Sequence, residues 1–278
     1  LFCLVFQAPQ AVHAHGNLHE RIQQLTGQIA AHSDDANLRL QRADLHRQHG
    51  QFDAALADLA DAERLKADRR IILLAELRVF SDADQRTNAL RAANELLALE
   101  PNCAAALALR ADNHLKLQHV QAAVEDWDRA IALSPRPEPD LYLNRARAQA
   151  ALGRFADAVK GLDDGTARIA AVGALQLAAI GYERQRGDFA AALDRLDKLA
   201  STQPVKEPWQ VLRGEILHQA GRYIEARDAF QQALTAIAGY PTVRRELEMT
   251  RQLQTRAREG LNRTEAGINR SRRQTSAL

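Results

Sequence analysis

Residues 187–196 read Gly-Asp-Phe-Ala-Ala-Ala-Leu-Asp-Arg-Leu, and the spacing of Gly187, Phe189, Ala192 and Leu196 returns elsewhere in the chain. Sliding the sequence against itself divides it into six blocks whose starts are 34, 34, 35, 34 and 34 residues apart. The blocks span residues 36–69, 70–103, 104–138, 139–172, 173–206 and 207–240. A fixed period of this length is typical of helical repeat architectures.

Several places within the block hold the same kind of residue each time. The twentieth place is always alanine: Ala55, Ala89, Ala123, Ala158, Ala192 and Ala226. The twenty-fourth place holds Leu59, Ala93, Trp127, Leu162, Leu196 and Phe230. The fifteenth and seventeenth places read Gly50-x-Phe52, Gly153-x-Phe155, Gly187-x-Phe189 and Gly221-x-Tyr223, whereas the second and third blocks lack this signature.

Together with small residues at the eighth place and Pro101, Pro135 and Pro204 at the thirty-second, this arrangement resembles the tetratricopeptide repeat. The resemblance covers residues 36–240. It implies an all-α fold, a right-handed α-α superhelix in which each block forms two antiparallel helices joined at the Gly-x-aromatic turn. We expect distortion in the second block, where Leu77 replaces a small residue, and in the fourth, where Gly165 and Ala170 replace Ala and Pro.

The repeated residues have direct physical roles. Glycine adopts a left-handed backbone at little steric cost, which suits a tight turn after the first helix. Methyl-sized side chains let the two helices of a block approach closely, while the bulky residue four places after the alanine fills the gap to the neighbouring helix. Each block therefore needs its neighbours to bury its apolar face.

Both ends of the chain differ from the repeats. Residues 1–14 resemble the end of a secretory signal peptide, with cleavage expected after Ala14, and predict a periplasmic or secreted protein or, failing that, a cytoplasmic one. Residues 15–35 predict a leading helix, since Ile22, Leu25 and Ile29 share helical spacing. Residues 241–260 predict a capping helix, and residues 261–278, poor in apolar side chains, a disordered basic tail. The excess of arginine over lysine, together with the alanine content, indicates a GC-rich bacterial genome.

In the family, partner peptides bind the concave face that the first helices line, and the resemblance places a binding groove there. Its expected lining mixes aliphatic side chains with charges of both signs, which suits a segment held by polar contacts along apolar ground. The expected residues are Asn37, Leu40, Asp44, Arg47, Leu74, Arg78, Asp112, Leu115, Asn144, Arg147, Leu177, Arg184, Val211, Glu215 and His218. We therefore expect a scaffold that binds a protein or peptide and uses no cofactor.

Other function classes find less support. The 37 Lys and Arg nearly balance the 35 Asp and Glu, so we expect no nucleic-acid partner. We expect no stable insertion in a membrane once the signal peptide is removed. The sequence carries no motif that pairs a nucleophile with a base, cradles phosphate or binds a catalytic metal, so we do not expect an enzyme.

An alternative function concerns the histidines, six of which lie between His13 and His49. Cleavage after Ala14 would leave His15 at the amino terminus, where its amine and ring nitrogen together could bind copper or nickel. The alternative is thus a metal-binding accessory protein that uses a His-rich start. No third ligand is fixed by the spacing, so we assign no metal-binding residues.

Overall fold

The structure, a computed structural model, describes residues 8–169 and 173–275, with side chains described over 17–169 and 173–274. All the regular elements in these ranges are helices, which agrees with the all-α fold expected from the sequence. The chain divides into two compact units, Leu1–Pro137 and Glu138–Leu278. In each unit, consecutive helices pack against each other in antiparallel orientation, as in a tetratricopeptide array.

Unit 1 contains seven helices among its described residues. They are α1 (Ala8–Ala31), α2 (Ala36–Gln48), α3 (Phe52–Arg64), α4 (Arg69–Asp82), α5 (Arg86–Leu99), α6 (Ala104–Lys116) and α7 (Val120–Leu133). The pairs α2–α3, α4–α5 and α6–α7 correspond to the first three blocks, and α1 packs on α2.

Unit 2 continues the pattern over its described residues. Its helices are α8 (Pro139–Ala151), α9 (Phe155–Ile169), α10 (Gly173–Arg186), α11 (Phe189–Ser201), α12 (Glu207–Gln219), α13 (Tyr223–Ala238), α14 (Thr242–Arg245) and α15 (Glu248–Thr275). The pairs α8–α9, α10–α11 and α12–α13 correspond to the last three blocks, and α15 packs on both α12 and α13.

The turn inside each block has one geometry throughout. Its fifteenth residue has a positive φ in every block, including Asp84 at 59° and Gln118 at 63°, the two places where glycine is missing. The second helix then begins at the seventeenth residue in all six blocks. The second and third blocks therefore keep the turn although they lack its sequence signature.

The recurring residues form the core. The alanine at the twentieth place is fully buried in every block, and the residue at the twenty-fourth is no more than 1% exposed. In the second block, Leu77 is also fully buried, so this helix pair accommodates the larger side chain. In the fourth block, Tyr142 packs on Gly165, where an added Cβ would come within 2.8 Å of the ring.

The amino-terminal predictions fall partly on described residues. Residues 1–7 of the expected signal peptide lie outside the described ranges, while Ala8–Ala31 form the single helix α1. The expected leading helix at 15–35 thus lies mostly within α1, whose buried Ile22 and Ile29 face its neighbours. Export and cleavage after Ala14 stay predictions.

The carboxyl end corrects one prediction. Residues 261–275 are not disordered but continue helix α15, which begins at Glu248 within the expected capping region and follows the short helix α14. Small residues explain the error, because Gly260 and Gly267 lie directly against the rings of Phe230 and Tyr223. Close approach of the backbone buries Ala257 and Thr264 completely in a sequence with few large apolar side chains.

None of the helices within 8–169 and 173–275 combines the length and the apolar character needed to cross a bilayer.

Candidate functional site

Three cavities lie side by side along the first helices of unit 1. The first, of about 520 Å³, lies between α1 and α2 and includes Arg21, Leu25 and Leu40 in its lining. The second, of about 160 Å³, lies between α2 and α4. The third, of about 240 Å³, extends from α4 to the α5–α6 connection.

Shared residues join these cavities into one surface, here named the unit 1 groove. Leu40 and Asp44 line both the first and the second cavity, and Ile71 and Leu74 line both the second and the third. Ile71 is 53% exposed, which is high for an isoleucine beside a cavity. The groove thus presents apolar side chains to solvent along its whole length.

The structure brings five of the expected groove residues together in the second cavity. Its lining includes Leu40, Asp44, Arg47, Leu74 and Arg78. The floor is formed by the buried Ala43, Leu59 and Val79, which also belong to the apolar core of the unit.

Two of these charged residues are fixed by internal contacts. Arg47 donates hydrogen bonds to Asp44 on its own helix at 2.9 Å and to Asp82 at the end of α4 at 2.5 Å. Burial disfavours the charged guanidinium of Arg47, but the hydrogen bonds to Asp82 and Asp44 outweigh it and raise its pKa. Gln48 also donates to Asp44 at 2.7 Å. This network ties α2 to α4 and pairs Asp44 with a cation of its own helix.

Other polar groups of the groove have no such contacts. Arg21 and Arg78 form no ion pair with any residue that the structure describes, and both line the groove. The side-chain amides of Gln24, Gln28 and Gln41, which line the first cavity, also have no hydrogen-bond partner in the described part of the chain. Two cations and three amides are therefore available to a ligand.

Sequence reasoning missed the groove residues that α1 contributes. Arg21, Gln24 and Gln28 precede the first complete block, so the repeat pattern gave them no groove position. The helical spacing of Ile22, Leu25 and Ile29 did predict that α1 packs with one face inward. Arg21, Gln24 and Gln28 are spaced three and four residues apart and share a helix face with Leu25, so the same argument could have grouped them.

The remaining expected residues of unit 1 lie outside the linings of these three cavities. Asn37 is exposed in the first turn of α2, where its backbone amide donates to Asp35 at 2.8 Å. On α6, Asp112 is exposed and Leu115 is half-buried.

In unit 2, the expected residues of α8 and α10 are accessible. Arg147 is exposed and donates to Asn144 at 3.2 Å, while Leu177 is 44% exposed. Arg184 is half-buried and donates to Gln219 at 2.9 Å. No common cavity among those described brings these residues together.

The expected residues of α12 do not line an open groove. Val211 is fully buried in the core of unit 2, so its predicted contact with a partner is wrong. Glu215 accepts a hydrogen bond from Arg256 of α15 at 2.8 Å, and the ring of His218 lies 3.0 Å from the hydroxyl of Thr264. Burial, with Arg263 and Arg270 nearby, lowers the pKa of His218. Helix α15 therefore occupies the place on α12 that the sequence assigned to a ligand.

The histidine-rich start gives no further support to a metal centre. His15 belongs to α1, and the side chains before Asn17 lie outside those described. His19 contacts Gln23 at 2.9 Å on the same helix. Among the described residues, no group of three or more His, Cys, Asp or Glu side chains is placed to hold a metal ion.

Comparisons with known proteins agree with this architecture. Residues 141–252 match the tetratricopeptide repeat-like domain family. No curated protein sequence matches the chain.

Solved structures with the same fold include proteins from several bacteria. A tetratricopeptide repeat protein from Parabacteroides merdae is 18% identical, with 87% of this chain and 93% of that chain covered and a TM-score of 0.53. The C-terminal part of a TPR repeat-containing protein from Cytophaga hutchinsonii is 13% identical, with 91% and 95% covered and a TM-score of 0.57. PilF of Pseudomonas aeruginosa is 14% identical, with 74% and 93% covered and a TM-score of 0.53.

At sequence identities this low, similarity to solved structures shows only the fold. Evidence from the sequence itself comes from the family match over residues 141–252. Six helix pairs of one period, with buried alanines at one place and a left-handed turn at another, agree with both. Proteins of this kind typically act as non-catalytic scaffolds for other proteins. Residues 141–252 therefore belong to a tetratricopeptide repeat-like domain, and the described helices on both sides of residue 137 have the tetratricopeptide fold.

Proposed function

We propose that the protein is a scaffold whose unit 1 groove binds an extended segment of a partner protein. The observation that carries the proposal is the series of three adjoining cavities, joined through Leu40 with Asp44 and through Ile71 with Leu74. A groove of this kind suits a chain of several residues better than a compact small molecule, because its separate cavities can each receive one side chain.

The chemistry of the lining indicates the class of segment. Leu25, Leu40 and Leu74 offer apolar contacts, so the ligand needs apolar side chains at intervals along its length. Arg21 and Arg78 carry positive charge that no described carboxylate neutralises. We therefore expect acidic residues beside the apolar ones, since a carboxylate forms charge-assisted hydrogen bonds with a guanidinium.

The free amides suit the backbone of such a segment. Gln24, Gln28 and Gln41 each carry both a donor and an acceptor, as a peptide group does. An extended ligand has unpaired backbone groups that would otherwise bind only water. Hydrogen bonds to these amides would give affinity for any sequence, while the leucines and arginines would select among sequences.

A display experiment tests the proposal with the full chain as bait and a random peptide library as ligand. We expect enriched peptides to combine large apolar with acidic residues, and to bind less tightly as salt increases. Ile71→Glu and Arg78→Glu should each weaken binding of the synthesised peptides by about tenfold or more, measured by fluorescence anisotropy. Both side chains are exposed, so the fold should tolerate the changes.

Leu177→Glu provides the matched control, because Leu177 is a comparably exposed aliphatic residue of a first helix in unit 2. It should leave the affinity of the same peptides unchanged. Selection of no peptide, or equal binding by wild type and by Ile71→Glu, would exclude the unit 1 groove as the binding site.

A further inference from the structure

Two histidines face each other across the turn of the third repeat. His114 lies near the end of α6, and His119 immediately precedes α7. Their Nδ1 atoms are 3.4 Å apart, and the ring centroids are 5.6 Å apart with the planes inclined by 51°. The rings therefore meet through their nitrogen atoms rather than by stacking face to face.

The first repeat has the same contact with a different partner. His46 and Gln51 occupy the equivalent places, and the Nδ1 atom of His46 lies 2.6 Å from Oε1 of Gln51. The other ring nitrogen, Nε2, lies 3.8 Å from Asp58. The amide oxygen can only accept, so Nδ1 of His46 carries the proton and donates it.

In the third repeat, the partner of the first histidine is another imidazole. One Nδ1 must carry a proton and the other must present a lone pair for the two rings to share a hydrogen bond. Burial lowers the pKa of His114, with opposing contributions from Asp126, which raises it, and from Arg110 and His119, which lower it. A neutral imidazole has one nitrogen with a free lone pair, and this is the form of histidine that binds metal ions.

The separation of the two nitrogens matches a tetrahedral metal site. Zinc binds histidine nitrogen at about 2.0–2.1 Å, so two ligands on a tetrahedron lie roughly 3.3–3.4 Å apart. We propose that His114 and His119 together bind one Zn²⁺ ion through their Nδ1 atoms. His119 is exposed, so water molecules complete the coordination of the ion.

Binding requires a change of tautomer but no net loss of protons from the neutral rings. The proton between the two Nδ1 atoms moves through solvent to the Nε2 atom of its own ring, and both rings turn so that each Nδ1 lone pair points at the ion. In the first repeat the corresponding Nε2 atom faces an aspartate. Asp126 holds the equivalent place in the third repeat, where its charge acts on His114.

Zinc at this site would link the end of α6 to the start of α7. It would replace a hydrogen bond between two uncharged rings by two bonds to a cation. Zinc would then stabilise the native state by an amount that increases with the logarithm of its concentration above the dissociation constant. The site has two protein ligands, and we expect binding weaker than that of closed structural zinc sites with four.

The first repeat supplies a variant that removes the site and preserves the fold. His119→Gln reproduces the pairing of His46 with Gln51, so helix content should remain that of wild type. After treatment with a chelator, wild type titrated with ZnCl₂ should bind one more equivalent than His119→Gln by calorimetry. The thermal midpoint of wild type should rise when zinc is added, and that of His119→Gln should not. Equal stoichiometry and equal stabilisation of the two proteins would overturn the proposal, as would an absence of zinc binding by wild type.

The reverse substitution tests the same geometry independently. Gln51→His places two imidazoles at the equivalent turn of the first repeat and should add one zinc equivalent to wild type. If Gln51→His binds no additional zinc while circular dichroism shows an intact fold, the separation of the two nitrogens does not account for binding of the ion. Neither readout depends on the unit 1 groove.

Discussion

Arg110 donates two hydrogen bonds to Asp126, at 2.6 and 2.7 Å, and the two residues stand sixteen positions apart in the third repeat. The first repeat has the same bidentate pair between Arg42 and Asp58, at 2.6 and 2.8 Å. In each case the arginine joins the first helix of its repeat to the second helix.

The same arginines also reach back to the preceding helix. Arg110 donates to Asn94 at 2.7 Å, and Arg42 donates to Thr26 at 2.9 Å, again sixteen positions away. Thr26 of α1 therefore takes the place that Asn94 has on α5. This equivalence indicates that α1 stands as the second helix of an incomplete repeat, so it can contribute to the unit 1 groove as a regular member of the array.

We expect Asp126→Asn to reduce the stability of unit 1 by about 2–3 kcal/mol. The Asp126 side chain is only 6% exposed and that of Arg110 only 18%, so the guanidinium would lose its charged partner where water cannot replace it. Chemical denaturation followed by circular dichroism measures the change. Glu125→Gln, an exposed position on the same helix, should change stability by less than about 0.5 kcal/mol.

Gln118→Gly should stabilise the protein by about 1 kcal/mol. Gln118 has a φ of 63°, which strains any residue with a Cβ, and glycine occupies this place in four of the other five repeats. The greater freedom of glycine in the unfolded chain offsets part of the gain. A rise in the denaturation midpoint is the expected result. A fall would mean that the Gln118 side chain stabilises the folded state by more than its left-handed backbone destabilises it.

The repeat pattern was sufficient to predict the cores of both units. Alanine at the twentieth place and the residue at the twenty-fourth are buried in every block because they lie where two helices approach most closely. The turns of the second and third blocks could not be predicted in the same way. Asp84 and Gln118 adopt the left-handed backbone without being glycine. Aspartate is only moderately favoured in this conformation and glutamine is not, so neither residue type predicts the turn.

The groove was predicted less completely than the core. Periodicity assigns a residue to a face of its helix, but it does not show what covers that face. Leu40 and Val211 occupy the same place in their blocks, yet Leu40 lines an open groove while Val211 is buried in the core that α15 helps to close. The carboxyl part of α15, residues 261–275, was not predicted, since contacts made by glycine and threonine contribute little to hydropathy.

Gly260→Ala should destabilise the last repeat by about 1–3 kcal/mol. The added methyl group would overlap the ring of Phe230, which is fully buried and also rests on Gly214. Limited proteolysis should then cut α15 faster, and the denaturation midpoint should fall.

Gly27→Ala is the matched control, because a Cβ at Gly27 on α1 would meet nothing within 4 Å. Alanine there should stabilise the helix by about 0.5–1 kcal/mol. Equal effects of the two substitutions would show that close packing on Phe230 does not decide the position of α15.

Glu76→Gln should stabilise unit 1 at neutral pH and have less effect in mild acid. Glu76 is half-buried, and its Oε2 atom has no hydrogen-bond partner among the described residues. Burial raises the pKa of Glu76 above 4.5 despite the opposing charges of Arg69 and Arg91, with Glu63 and Glu95 adding to the rise.

The direction of the pH dependence follows from that shift. The folded state binds the proton of Glu76 more tightly than the unfolded state, so wild type loses stability as pH rises from 4.5 through the higher pKa of the folded protein. Glutamine has no proton to lose, and the advantage of Glu76→Gln over wild type should therefore grow across this interval and stay constant above it. Urea midpoints of both proteins at about pH 4.5 and about pH 7.5 measure this difference. A gain of the same size at both pH values would show that ionisation of Glu76 is not its cause.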